Sequence, residues 1–273
     1  MKEAKSRMPV VAGQFYPASA QGIRKQIESF LDKSAKKTDV IACMLPHAGY
    51  MYSGRVAVET VSRINIKDKV ILLGPNHTGF GSAFSIMTEG IWETPLGAVK
   101  IDSELAAKLL KNSKHLESDT LAHADEHSLE VELPILQYFR PDFEIVPIAF
   151  MTDDVEALKK TGAEIAGVLK EQQIKDSVMM VASSDMTHYE SSESARQKDN
   201  EAIEAIINLD ADRLVQRIRQ LNISMCGYAP VIAMITAAKI LGATAAKLVK
   251  YQTSGDVTGD NDSVVGYAGM IIY

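Results

Sequence analysis

Short apolar runs alternate along the chain with longer stretches of helical periodicity, and this alternation limits the fold more than any other feature of the sequence. The apolar runs are rich in Val and Ile and lack a regular apolar–polar alternation, which is typical of strands buried on both faces. Residues 84–101 indicate a hairpin-like excursion with a turn at Gly90. The predicted strands span residues 40–45, 69–73, 84–88, 144–150, 177–182, 247–252 and 264–272.

The stretches between these strands place apolar residues three and four positions apart, which is the pattern of amphipathic helices. The predicted helices span residues 20–32, 153–171, 200–209, 210–221 and 229–241. Strands that alternate with helices favour an α/β fold, with a mostly parallel central sheet flanked by helices on both faces. The sequence contains no linker-like or repeated segment, so we predict a single domain over residues 1–273.

The charge and composition of the chain argue against several classes of protein. Acidic residues outnumber basic ones by 35 to 29, and a net charge of −6 argues against nucleic acid as a partner. No apolar run reaches the roughly 18 residues that span a bilayer, and the N-terminus lacks the apolar core of a signal peptide. Two cysteines do not make a disulfide framework. We therefore expect a cytoplasmic protein with reduced thiols and no membrane segment.

Histidines and an aspartate follow three of the predicted strands. His47, His77 and the pair Asp185 and His188 each come directly after such a strand. In open α/β sheets, ligands bind beyond the carboxyl ends of the strands, so these side chains are expected at one edge of the sheet. A histidine taken alone is usually an ordinary polar residue. Three histidine loops at one edge instead predict a common site.

Two histidines at such an edge indicate a metal ion, since imidazole suits zinc, copper and iron. Cys226 is the candidate third ligand beside His47 and His77. It precedes the predicted helix 229–241, and a helix N-terminus favours the thiolate form. Cys43 lies inside a predicted strand, where packing is the simpler interpretation. The same interpretation, a small buried apolar side chain, stays open for Cys226.

The segment 123–130 adds two histidines and a cluster of acidic residues. His123 and His127 are four positions apart, so both are expected on one side of a helix. His127 is a candidate catalytic residue, and Glu130 is a candidate base. The pattern is not the His-Glu-x-x-His of zinc peptidases, so that class is not indicated. The alternative is that these residues only cap a helix and place charge at its N-terminus.

Six short motifs follow one another along the chain. They are PVVAGQFYP at residues 9–17, PHAGY at 46–50, GPNH at 74–77, DEHSLE at 125–130, SSDMTH at 183–188 and CG at 226–227. Together they resemble the Memo family, whose prokaryotic members are named for the AmmeMemoRadiSam system. The resemblance extends from near residue 8 to the C-terminus.

This resemblance implies a fold similar to that of class III extradiol ring-cleavage dioxygenases, with non-haem iron at the edge of the sheet. It implies that His47, His77 and Cys226 are the metal ligands and that Asp185 and His188 line the same pocket. The dioxygenases differ at one ligand, because they use a carboxylate where this family has a cysteine. Eukaryotic members are described as binding phosphorylated receptor peptides and as metal-dependent redox proteins. The family resemblance also implies partners from a radical-enzyme system.

The residues support three functions, of which the first is favoured by the site chemistry and the resemblance. It is a dioxygenase-like oxidoreductase with iron or copper, in which His188 transfers a proton and Asp185 orients it. The second is a non-enzymatic module that binds a peptide or a small ligand in the same pocket. The third is a zinc hydrolase with His188 or Glu130 as its base.

Overall fold

The computed structural model describes residues 6–273. Its strands are β1 (Ser6–Arg7), β2 (Ala42–Leu45), β3 (Lys69–Pro75), β4 (Phe84–Ile86), β5 (Ile91–Thr94), β6 (Gly97–Ile101), β7 (Glu117–Ser118), β8 (Glu144–Phe150), β9 (Val178–Ser183), β10 (His188–Glu190), β11 (Ala246–Thr253) and β12 (Val264–Ile272). Its helices are α1 (Ala20–Phe30), α2 (Tyr50–Val61), α3 (Ser103–Asn112), α4 (Leu121–Ala124), α5 (Glu132–Phe139), α6 (Val155–Glu171), α7 (Ser192–Ile207), α8 (Ala211–Leu221), α9 (Tyr228–Leu241) and α10 (Gly255–Thr258).

Within residues 6–273 the strands form one twelve-stranded sheet with a parallel centre. The order is β1-β5-β6-β8-β3-β9-β2-β12-β10, with β11 on β12 and β4 pairing with β8 and β7. Neighbours from β6 through β8, β3 and β9 to β2 run parallel, whereas β12 is antiparallel to β2 and to β11. The predicted strands 40–45, 69–73 and 177–182 are therefore parallel neighbours, which confirms the prediction on which the site depends.

Helices pack on both faces of the sheet and enclose one continuous apolar core. Helix α9 packs on the central strands and on α6, and it is buried on nearly all sides, which explains its uniformly apolar sequence. In residues 6–273, five helices follow a residue whose side chain accepts a hydrogen bond from the backbone N–H three positions onward. These N-caps are Ser19 of α1, Asp102 of α3, Asp154 of α6, Ser191 of α7 and Asp210 of α8.

The predicted α/β fold with a mostly parallel sheet is confirmed, and β8 and β12 match their predicted bounds residue for residue. The hairpin is formed by β5 and β6, so its turn follows Thr94 rather than Gly90, and β4 pairs with β8 instead. Helix α7 begins at Ser192, well before the predicted start at residue 200. The apolar pattern misses its first two turns because they are mainly polar.

The apolar pattern does not predict helix α2. Its buried residues include Ser53, Gly54 and Thr60, so burial on several sides interrupts the apolar periodicity that reveals an amphipathic helix. Helix α3 also lies outside the predicted helices, whereas α5 follows the acidic cluster of residues 125–130, which the sequence places at a helix start. None of the helices in the described part of the chain combines the length and the apolar character needed to cross a membrane.

Candidate metal centre

The candidate site lies beyond the carboxyl ends of the neighbouring parallel strands β3, β9 and β2. His77 follows β3, Asp185 follows β9, and His47 follows β2. Cys226 reaches the same place from the loop that precedes α9. The structure therefore brings together loops that are distant in the sequence, at the sheet edge where the strand pattern predicts them.

Two glycines allow these loops to approach one another closely. A Cβ atom at Gly227 would lie 2.2 Å from the carbonyl oxygen of Ser183, which is the last residue of β9. A Cβ atom at Gly74, in β3, would lie 2.6 Å from Leu129 Cδ2. A larger residue at either position would push the Cys226 loop away from β9, or β3 away from the segment that follows α4.

The ligand atoms of His47, His77 and Cys226 lie within 4.8 Å of one another. Cys226 Sγ is 3.3 Å from His47 Nε2, and the centroids of the two imidazole rings are 5.2 Å apart. His47 is buried, Cys226 is half-buried, and His77 faces the outside. A single metal ion can therefore contact all three atoms while one side of the cluster stays open to a ligand.

Glu126 holds the imidazole of His77 in place. Its Oε1 is 2.9 Å from His77 Nδ1, and its Oε2 accepts a hydrogen bond from the His77 backbone N–H. The backbone N–H of Ser128 donates to Oε1 at 2.8 Å. Burial alone would raise the pKa of Glu126, but these hydrogen bonds and the His77 imidazole lower it to about 2. The ionised Glu126 keeps the His77 proton on Nδ1 and leaves Nε2 free for a metal.

Ser183 holds the imidazole of His47, and its hydroxyl connects this ring to a buried acid. Ser183 Oγ is 2.7 Å from His47 Nδ1, 2.8 Å from Ser128 O and 2.9 Å from Glu132 Oε1. Burial lowers the pKa of His47 well below its usual value, so the ring is neutral and ready to bind a metal. The sequence analysis did not assign Ser183 or Glu132 to the site. The signal for Glu132 was a carboxyl group inside the apolar run 131–136.

Burial raises the pKa of the Cys226 thiol, and the Asp185 carboxylate adds to this effect. Burial and the N-terminus of α9 therefore act in opposite directions on this thiol, and the thiolate expected from the helix end stays a prediction. The backbone N–H of Asp185 lies 3.3 Å from Sγ and favours a negative sulfur, as does the Ser184 hydroxyl group. A cation beside the sulfur would reverse the effect of burial, so the environment suits a metal ligand rather than a free nucleophile.

Asp185 and His188 lie near the cluster but have different hydrogen-bond partners. Asp185 Oδ1 accepts from the backbone N–H of His47 at 2.9 Å and from that of Ala48 at 3.4 Å. Burial raises the pKa of Asp185 to about 6, and the charge of His188 opposes this rise. His188 Nδ1 donates to the carbonyl oxygen of Ser224 at 2.9 Å, so Ser224 orients this ring in place of Asp185. The free Nε2 of His188 is the atom that can accept a proton.

His123 and His127 do not share a helix face, contrary to expectation, because α4 ends before His127. The ring centroid of His127 is 4.8 Å from that of His77 and 5.5 Å from that of His47. His123 is fully buried beside Trp92. His127 therefore lies at the candidate site, whereas His123 is part of the core.

A second group, formed by His77, Glu126 and His127, also brings its ligand atoms within 4.8 Å of one another. Both carboxylate oxygens of Glu126 already accept hydrogen bonds from backbone or imidazole nitrogens. The third contact is longer, with His127 Nδ1 at 3.5 Å from Glu126 Oε1. We interpret this group as support for the His77 ligand rather than as a separate metal site.

Glu130 is part of the fold rather than of the site. Its fully buried carboxylate accepts hydrogen bonds from Arg7 Nη1 at 2.8 Å and from the Tyr16 hydroxyl at 2.7 Å. The backbone N–H groups of Val10 and Val11 donate to the same carboxylate. These contacts hold the N-terminal segment against the loop before α5. The expectation that Glu130 acts as a base is therefore wrong, because its lone pairs are already used.

The donor set consists of two imidazole nitrogens and one thiol sulfur, which iron, copper and zinc all accept. Each imidazole has its other nitrogen bound to Ser183 or Glu126, which is the usual arrangement for metal-ligating histidines. The residues present therefore fit a metal ion. The fold and this cluster define an α/β protein with a candidate metal site of the His2Cys type.

The chain matches the family model of the Memo-like proteins over residues 7–271. A MEMO1 family protein from Methanosarcina barkeri is 44% identical over 268 residues, which cover 97% of this chain and 99% of the relative. One from Aquifex aeolicus is 45% identical over 267 residues, which cover 97% of this chain and 98% of the relative. One from Methanocaldococcus jannaschii is 42% identical over 287 residues, which cover 98% and 99%. The chain belongs to the Memo family, as its motifs predicted.

Proposed function

We propose that this Memo family protein is a metal-dependent oxidoreductase in which His47, His77 and Cys226 bind one non-haem iron ion. Copper is the alternative redox-active ion for the same donor set. The observation that carries the proposal is the convergence of these three donors within 4.8 Å. The Memo resemblance implies a fold similar to that of class III extradiol dioxygenases, with iron at the edge of the sheet, and this implication favours iron and oxygen chemistry.

The residues around the cluster prepare the three ligands for a metal. Glu126 and Ser183 hold the Nδ1 atoms of the two imidazoles, so that Nε2 of each ring is the binding atom. The backbone N–H of Asp185 stabilises a negative charge on Cys226 Sγ. A bound iron ion would supply one-electron chemistry towards oxygen or an oxidisable substrate. Because a thiolate is itself oxidisable, the half-buried position of Cys226 also limits its exposure to solvent oxidants.

Two histidines beside the cluster are suited to move protons. His188 donates from Nδ1 to Ser224 O and keeps Nε2 free, so it can accept a proton from a bound substrate. Burial lowers the pKa of His127, so this ring is neutral and offers a second acceptor next to His77. The buried carboxyl group of Asp185 lies beside the cluster and accepts hydrogen bonds from the backbone N–H groups of His47 and Ala48. We propose a small molecule or a peptide side chain as the substrate.

The metal itself provides the first test. The protein is purified under anaerobic conditions and its metal content is measured by elemental analysis, followed by a nitric oxide spin-probe spectrum if iron is present. We expect one iron ion per chain. Tight zinc together with ester or amide hydrolysis would support the hydrolase, for which His188 is the remaining base. A metal-free protein that still binds a peptide or a small ligand would support the binding module.

Ligand variants provide the second test, with the other cysteine as a matched control. His47→Ala, His77→Ala and Cys226→Ala should each abolish stoichiometric metal binding, whereas Cys43→Ala should retain it, because Cys43 is buried within β2. Full metal occupancy in Cys226→Ala would remove the thiolate from the site. Because His77 faces the outside, His77→Ala should lower stability only modestly, whereas the buried His47 should lose more on the same change.

A further inference from the structure

The hydroxyl group of Ser183 has three polar neighbours at hydrogen-bond distance. They are His47 Nδ1 at 2.7 Å, Ser128 O at 2.8 Å and Glu132 Oε1 at 2.9 Å. A hydroxyl group has one proton to donate and two lone pairs that accept. Ser128 O is a carbonyl oxygen and can only accept. Ser183 therefore donates its single proton to Ser128 O. His47 Nδ1 and Glu132 Oε1 must then donate to Ser183 Oγ.

This donor count fixes two protons at the base of the site. His47 carries its proton on Nδ1, so that Nε2, at 3.3 Å from Cys226 Sγ, presents a lone pair to a metal. Glu132 carries a proton on Oε1 and donates it to Ser183 Oγ. If Glu132 were ionised, Ser183 would have to donate to it, and two acceptor oxygens, Ser183 Oγ and Ser128 O, would face each other at 2.8 Å without a proton.

The surroundings of Glu132 favour the un-ionised acid. Its side chain is fully buried in the first turn of α5. Within the described part of the chain its Oε2 has no hydrogen-bond partner. The Tyr50 hydroxyl donates to the carbonyl oxygen of Val131 and not to this acid. Burial raises the pKa of Glu132 well above its usual value, and the negative charge of Asp185 acts in the same direction.

We propose that Glu132 is a positioning residue that stays protonated and, through Ser183, fixes the tautomer of His47. This inference deepens the proposed function and rests on it at one point, namely that His47 binds the metal. Glu132 touches neither His47 nor the metal position, and it acts through the Ser183 hydroxyl. With Glu132 in place, Ser183 has both lone pairs occupied by donors, so its proton cannot turn towards His47 Nδ1 and select the other tautomer.

Two substitutions of Glu132 separate positioning from a structural role. Glu132→Gln keeps a neutral group of the same shape with an N–H that can donate to Ser183. Glu132→Leu has a similar size and cannot donate. Co2+ is the probe, because its absorption spectrum reports on its ligands. We expect Glu132→Gln to bind Co2+ with wild-type affinity and spectrum, and Glu132→Leu to bind it about tenfold or more weakly, the scale for losing a group behind a metal ligand.

Stability measurements separate the two roles. Glu132→Leu removes a buried carboxyl oxygen that has no partner but leaves one lone pair of Ser183 without a donor, so these two effects oppose each other and the denaturation midpoint should change little. A group needed only for packing would lower stability and metal affinity together. Wild-type affinity in Glu132→Leu would overturn the proposal. So would an equal loss in Glu132→Gln, because that result would mean that the carboxylate was charged.

An infrared measurement tests the proton itself without any metal. At about pH 8, where ordinary carboxyl groups are ionised, the difference spectrum between wild type and Glu132→Gln should show the C=O band of an un-ionised carboxylic acid. Absence of this band would overturn the proposal. Retention of stoichiometric Co2+ by His47→Ala would instead overturn the metal site, and the infrared band would still decide the protonation of Glu132.

Discussion

One side of the segment 123–132 faces Arg7, and the other side faces the candidate metal ligands. On the Arg7 side, the carboxylate of Glu130 pairs with the guanidinium group at 2.8 Å. On the ligand side, the carboxyl groups of Glu126 and Glu132 lie behind the two imidazoles. All three glutamates are buried, and yet only two of them have N–H donors around their oxygens.

The difference shows that the partners of a buried carboxyl group, rather than its burial, decide its charge and its role. Glu126 receives hydrogen bonds from backbone and imidazole nitrogens and is ionised. Glu132 has a hydroxyl neighbour and no cation, so the charged form is too costly. Substitutions on the Arg7 side should therefore change stability, and substitutions on the ligand side should change metal binding.

The largest expected effect is on the Arg7 side. Arg7→Met leaves the negative charge of Glu130 buried without its partner, which should lower the free energy of unfolding by about 3–5 kcal/mol. Chemical denaturation measures this change, and Arg24→Met, at an exposed position of α1, is the control. The fraction of Arg7→Met that is folded should still bind one metal ion per chain. Loss of metal from the folded variant would show that the two sides are coupled.

The second effect is a pH dependence on the same side. Burial, together with the nearby Arg7, lowers the pKa of His123 to about 4, so the folded protein resists a proton that the unfolded chain accepts near pH 6.5. Stability should therefore fall as the pH decreases from about 6.5 to about 4, by about 3 kcal/mol for this residue. In metal-free His123→Leu this part of the loss should disappear, as measured by denaturation at several pH values. An unchanged pH dependence would contradict the assignment.

The third effect is on the ligand side. Glu126→Gln removes the negative charge that holds the His77 proton on Nδ1, so the affinity for Co2+ should fall about 10- to 100-fold. Isothermal titration with Co2+ measures this change, and Glu104→Gln, at an exposed position of α3, is the control. Glu132→Gln is the informative comparison. In Glu126→Gln the amide replaces a charged carboxylate, whereas in Glu132→Gln it replaces a neutral carboxylic acid. Equal Co2+ affinities in the two variants would contradict the difference in charge between Glu126 and Glu132.

The smallest effect on metal binding is expected at His188. Its ring is bound to Ser224 O rather than to a ligand, so His188→Ala should change the Co2+ affinity by less than about threefold. Once a substrate is known, the same variant should lower turnover by about a hundredfold or more, the scale for losing a general acid or base. An NMR titration of His188 should differ between metal-free and metal-bound protein. Identical curves would remove His188 from the catalytic residues.

The sequence predicted the central parallel sheet well, because its strands are recognised from local patterns of apolar residues. Runs of Val and Ile marked the central strands, and apolar spacing marked helices α1, α6, α8, α9 and the second half of α7. The strand ends then placed His47 and His77 at one edge of the sheet. Helix α2 was missed for the opposite reason, since a helix buried on several sides has no single apolar face to detect.

The sequence alone selected the residue types of the candidate metal site and the family to which the chain belongs. Only the tertiary structure decided which neighbours each of these residues has. It placed Cys226 beside His47, separated His127 from His123, and assigned Glu130 to an ion pair with Arg7. The physical reason is that protonation, tautomer and metal affinity depend on burial and on hydrogen-bond partners, and these come from elements far apart in the chain.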